Sequence, residues 1–121
     1  MLLPTGVFTK LTTLPVTTVS SKGQRLQLNC STDEAYISVN WLYSAPNSDV
    51  KEQIYIIWEV TAKFKRKLFV SNSIAGQYNL VINSITEADA GRYFCVDEGG
   101  FGEEGYGDLI VILGKSLHIH I

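Results

Sequence analysis

Asp89-Ala90-Gly91-Arg92-Tyr93-Phe94-Cys95 closes a longer run that begins at Tyr78, in the pattern Y-x-L-x-I-x-x-I-x-x-x-D-A-G-x-Y-x-C. Two upstream residues belong with it: Cys30, and Trp41 eleven positions later. Cys30 and Cys95 are the only cysteines, so pairing them leaves no free thiol. Neither sits in a C-x-x-C pair, and the only histidines, His118 and His120, lie far along the chain, so zinc-ligand spacing is absent. A disulfide is the better reading. It would add roughly 4 kcal/mol by closing a long loop, and it points to an oxidising compartment outside the cytosol.

Working outward, short apolar-alternating runs are divided by turn residues at intervals of about 8 to 12, the habit of a β-sandwich or barrel. Residues 25–30 alternate with Leu26, Leu28 and Cys30 on one face, and residues 39–43 repeat this with Val39, Trp41 and Tyr43 inward. Residues 7–11 and 16–19 read as an edge strand interrupted at Pro15, and residues 45–49 as a loop. Residues 52–60 read as one strand, with Ile54, Ile56 and Trp58 on one side and Tyr55 and Ile57 on the other. Strands also follow at 68–71, 78–82, 93–96 and 109–113. The glycine-rich, acidic segment 97–107 between the last two reads as a mobile loop.

The Cys30, Trp41 and Asp89–Cys95 constellation resembles the V-set of the immunoglobulin superfamily, over roughly residues 7–113. The resemblance implies an all-β immunoglobulin V-type fold, a two-sheet antiparallel Greek-key sandwich. In that fold Cys30 and Cys95 bridge the sheets, Trp41 packs on the bridge, and Tyr93 makes the tyrosine corner. Gly91 suits the tight turn before Tyr93. The family's ion pair with the motif aspartate falls on Arg66 and Asp89, with Lys67 as the fallback. The segment between the cysteines is long enough for the C′ and C″ strands of the variable type, which disfavours a constant-type domain. Residues 106–113 look like strand G of junctional-adhesion-type V domains. They depart from the antigen-receptor F-G-x-G pattern at Leu109, which favours a non-rearranging domain. Residues 1–6 are then an added or linking stretch, 7–113 the domain, and 114–121 a linker or the start of a following segment.

Within this fold, alternation turns Leu42, Phe94 and Val96 outward on the face built by strands G, F, C and C′. One of the two sets on 52–60 joins them, with Ile57 and Trp58 as candidates. Phe101, in its glycine setting, and Tyr106 could add specificity from the loop. Contiguous apolar patches mark interaction sites, and aromatic residues anchor interfaces. The expected function is therefore that of an extracellular recognition module of a receptor or adhesion protein. Its partner would be a V-type domain of the same or another molecule, a homodimer included. The plainer reading is that Phe94 and its neighbours are covered by the following loop or by an adjoining domain. A secreted immune-recognition domain that binds a foreign or microbial ligand through its loops is the alternative.

Other classes are disfavoured. Of 121 residues, 10 are basic and 12 acidic, a net charge of -2 that gives no field for nucleic acid. The apolar runs 54–58 and 109–113 are far shorter than the roughly 20 residues of a membrane span, so no membrane contact by the domain is expected. Met1-Leu2-Leu3-Pro4 does not start an intact signal peptide. No titratable group suggests a catalytic cleft, so the chain is read as no enzyme, with no cofactor. Two histidines do not make a metal site, and the acidic loop lacks EF-hand spacing. The charged runs 63–67 and 97–104 read first as solvated surface. Asn29-Cys30-Ser31 matches the glycosylation pattern N-x-[ST], but its overlap with the bridging cysteine argues for poor occupancy.

Overall fold

Alternation in residues 26–28 and 39–44 places Leu28, Val39 and Trp41 in the interior, and the computed structural model builds its two sheets around them. The structure describes residues 11–33, 38–97 and 104–113. Its strands are β1 Leu11–Thr13, β2 Thr18–Ser21, β3 Leu26–Leu28, β4 Ser31–Thr32, β5 Val39–Ser44, β6 Glu52–Ile56, β7 Glu59–Val60, β8 Leu68–Ser71, β9 Asn79–Ile82, β10 Gly91–Asp97 and β11 Glu104–Ile112. One sheet has the order β2-β11-β10-β5-β6-β7, the other β3-β9-β8, with β1 paired to β4 beside it. This is the V-type set: β5, β6, β10 and β11 are strands C, C′, F and G, and β7 is C″.

Cys30 and Cys95 are joined across the sandwich and have no solvent exposure. Trp41 lies directly opposite Cys95 in the β5–β10 ladder, and its indole N–H donates to the Tyr78 carbonyl at 2.9 Å. Leu28, Ile54, Leu68, Leu80, Ile82 and Leu109 fill the rest of the core.

Two tyrosines clamp the turn ahead of β10. The Tyr93 hydroxyl donates to the Asp89 carbonyl and that of Tyr43 to the Ala90 carbonyl, both at 2.6 Å. Gly91 between them has φ 146°, and a Cβ there would lie 2.5 Å from the Ser44 carbonyl oxygen. Burial pushes both phenols above their usual pKa, and the Asp89 carboxylate adds to this. The unfolded chain ionises its tyrosines near about pH 10. The folded chain resists, so the stabilising contribution is fully present below that pH and is lost as pH rises above it. Urea titrations at stepped alkaline pH should show this decline, and Tyr93→Phe should flatten it; an unchanged slope in the variant would assign the effect elsewhere.

Three expectations from the sequence are corrected. Arg66 is exposed, and Lys67 pairs with Asp89 at 3.0 Å. The Lys67 carbonyl accepts from the Asn83 N–H, which sets Lys67 against the turn that holds Asp89. Residues 52–60 are not one strand: β6 and β7 form a hairpin that turns at Ile57 and Trp58, both with positive φ (49° and 64°). This is the φ pattern of a two-residue I′ turn, normally supplied by Asn and Gly. A bulge between Trp41 and Leu42 also buries the adjacent Ile54 and Tyr55 together, so neither alternating set faces outward as a unit. Finally, residues 104–107 belong to strand β11 and not to a loop.

Candidate partner-binding face

The outer side of the larger sheet is written in rows across three strands. Leu42, Phe94 and Tyr106 lie side by side, flanked by Ser44, Arg92 and Asp108 on one side and Asn40, Val96 and Glu104 on the other. Parity on β11 continues the face to Ile110, which pairs with Val19 of β2. The residues 45–48 wall off one end. There the Ser48 N–H donates to the Ala45 carbonyl across Pro46 and Asn47, and Asn47 has φ 61°. Proline followed by a positive-φ asparagine is the chemistry of a type II turn. Together these elements enclose an open concavity of about 680 Å³, with Arg92, Phe94 and Asp108 among its lining.

Phe94 does turn away from the core, but it is only 7% exposed. The Lys51 ammonium sits 4.2 Å above its ring, and the Tyr106 ring lies 6.0 Å away. Lys51 in turn reaches Glu104 at 3.4 Å. Phe94 is thus a floor and not a presented anchor, because the Lys51 ammonium lies over its ring in a cation–π contact. The exposed aromatic of this row is Tyr106, at 49%. Arg92 holds it from behind, 4.0 Å from its ring, and grips Asp108 through two hydrogen bonds of 2.7 and 3.1 Å. That grip keeps the Asp108 carboxyl below the usual carboxylate range.

Leu42 and Val96 are half-buried within the rows. Ile57 and Trp58 stand at the hairpin tip, 72% and 48% exposed, and the Trp58 ring meets that of Tyr78 edge-on at 5.7 Å. Phe101 lies outside the described residues. Lys51, Arg92, Asp108, Ile110 and Val19 were missed by sequence reasoning. Alternation along 91–97 turns Arg92 to the same side as Phe94, and the same period along 104–112 turns Asp108 and Ile110 to the side of Tyr106. Among the described residues, no group of His, Cys, Asp and Glu could hold a metal, and no helix is long and apolar enough to cross a membrane.

Ile57 in the left-handed region carries strain of about 1 to 2 kcal/mol, since a β-branched side chain there crowds the backbone. Ile57→Asn should therefore raise the unfolding free energy by about 1 kcal/mol, because little packing is lost at so exposed a site. A destabilised variant in a urea titration would show that Ile57 does not hold this conformation.

A comparison with solved structures finds similarity to the crystal structure of the RIG-5 IG1 homodimer, with a TM-score of 0.72 and 17% identity over 86% of this chain and 97% of that one. At that identity the likeness concerns the fold. The model of the immunoglobulin V-set domain matches residues 13–112, and with the disulfide, the strand set and the tyrosine corner in place, the chain belongs to the immunoglobulin V-set family.

Proposed function

We propose that this domain is an extracellular recognition module of a cell-surface adhesion protein or receptor, in adhesion or immune recognition. It acts by binding another protein, not by catalysis, through the outer face of β2, β11, β10, β5 and β6. A second copy of the chain is the first candidate partner. The observation that carries this reading is the exposure of Tyr106, Ile110 and Val19 on either side of the Arg92–Asp108 pair, beside a concavity lined by Phe94. Exposed apolar and tyrosine side chains with an arginine among them are the composition that protein interfaces favour. The similarity in fold to the RIG-5 IG1 domain, solved as a homodimer, is in keeping with a second copy as partner. The disulfide supports a secretory route. Leu42 and Val96 would contribute area within the face, Ile57 and Trp58 an apolar lip, and Phe94 a rigid floor.

The test is sedimentation of the domain across a concentration series, with Tyr106→Ala beside it. Association that grows with concentration is expected, and the variant should weaken it by about 1 to 2 kcal/mol, roughly 5- to 30-fold. Its unfolding free energy should stay within about 0.5 kcal/mol of the parent, since Tyr106 is half exposed. Unchanged association would place the contact elsewhere. A monomer at every concentration would rule out self-pairing and direct the search to a different V-type partner.

A further inference from the structure

Asn29-Cys30-Ser31 is the one stretch of the chain that fits N-x-[ST] with a residue other than proline in the middle. In the folded domain Cys30 is fully buried, whereas Asn29 beside it is exposed at the end of β3. Alternation explains the contrast: the strand directs Cys30 into the bridge and Asn29 to the opposite side. The Asn29 side-chain oxygen accepts from the Gln27 amide at 2.8 Å, an exposed contact between neighbours on the same side of the strand. The Cys30 N–H is satisfied by the Asn79 side chain at 3.1 Å, so the backbone beside the asparagine stays anchored.

From this placement we infer that Asn29 is an N-glycosylation site, with the glycan standing on the outer side of the β3-β9-β8 sheet. The overlap with the bridging cysteine does not block it. Cys95 lies 65 residues further on, so at synthesis rates of about 5 to 20 residues per second Cys30 stays a free thiol for roughly 3 to 13 s after it is made. During that interval neither the bridge nor β3 exists, and the tripeptide is available in extended form. In the transfer, on a membrane-bound glycosyltransferase, the Asn29 amide nitrogen gives up a proton that passes to solvent and bonds to the anomeric carbon of a polyprenyl-diphosphate-linked oligosaccharide. The bond from that carbon to the diphosphate oxygen breaks, and the polyprenyl diphosphate leaves with the electron pair. The glycan then shields the sheet opposite Tyr106 and leaves the proposed partner face open.

This inference rests on the secretory route proposed above, and the test separates the two. The chain is expressed behind a secretory signal in cultured animal cells, and its intact mass is measured before and after an amidase that releases N-linked glycans. A mass excess that disappears on digestion, with Asn29 converted to aspartate, is the expected result. Asn29→Gln and Ser31→Ala should abolish the excess, and Ser31→Thr should keep it. The Cys30–Cys95 disulfide, read by mass in the same sample, reports passage through an oxidising compartment independently. An unmodified chain with its disulfide formed would overturn the inference, as would an excess that persists in Asn29→Gln.

Discussion

Replacing both Cys30 and Cys95 by alanine is expected to lower the unfolding free energy by about 4 kcal/mol or more. The bridge closes a loop of 65 residues, and its removal returns that conformational freedom to the unfolded chain. A second contribution comes from the folded side. Both sulfurs are fully buried in the core that holds Trp41, and alanine leaves a void there that close-packed neighbours fill only in part. Reduction without substitution keeps the sulfur volume, so reduced wild type should fall between the oxidised protein and the double variant. For a domain whose whole stability is about 5 to 15 kcal/mol, the thermal midpoint should drop by roughly 10 to 20 °C. A loss below about 1 kcal/mol in denaturant titrations would mean that the unfolded chain is already constrained without the bridge.

Gly107→Ala should be nearly as damaging, at about 2 to 4 kcal/mol, and for a different reason. A Cβ at Gly107 would lie 2.5 Å from the Val16 carbonyl oxygen and 2.6 Å from its carbon, both backbone atoms with no rotamer to change. Relief requires the chain around Val16 to lift away. That would strain the bond from the Asp108 N–H to the Thr17 hydroxyl and the first β2–β11 pair, Leu109 with Thr18. Gly105 offers the control. Its added methyl would meet the Leu14 side chain, whose Cδ2 at 2.7 Å can rotate away on a half-exposed residue, leaving a milder clash with the Leu14 Cβ at 2.9 Å. Gly105→Ala should therefore cost distinctly less in the same titration. Equal losses would mean that Val16 does not press on β11 as described.

These two glycines also mark where reading the sequence stopped. Their composition reads as a loop, yet they are strand residues whose missing side chains admit the 14–16 segment. The runs 25–30, 39–43 and 93–96 are legible as strands, because their period-two alternation passes through cysteines and aromatics that have one sensible side to face, and the observed strands 26–28, 39–44 and 91–97 overlap them. The hairpin at Ile57 and Trp58 was not, since two bulky residues stand where turn chemistry calls for Asn and Gly. The bulge beside Trp41 hid the burial of both Ile54 and Tyr55 for the same reason: a single extra residue leaves no mark in composition. On the candidate face, alternation gave the direction of Phe94 but not its cover, which depends on where Lys51 lands after a loop. The ion pair at Asp89 falls on the fallback Lys67 and not on Arg66, because spacing does not decide between neighbours that point to opposite sides.

The parallel pairing of β2 with β11 bears on how the domain would carry a load. Thr18 to Ser21 run in the same direction as Leu109 to Ile112, so tension entering ahead of Thr18 and leaving after Ile112 pulls the two strands along their length in opposite senses. All the rungs between them then resist together, as in a lap joint, and none can be opened singly as in a zip. Rupture of such a joint is set by the rate of crossing the unfolding barrier and not by equilibrium stability. The β2–β11 pair, at the edge of the proposed partner face, is thereby also the mechanical seam of the domain.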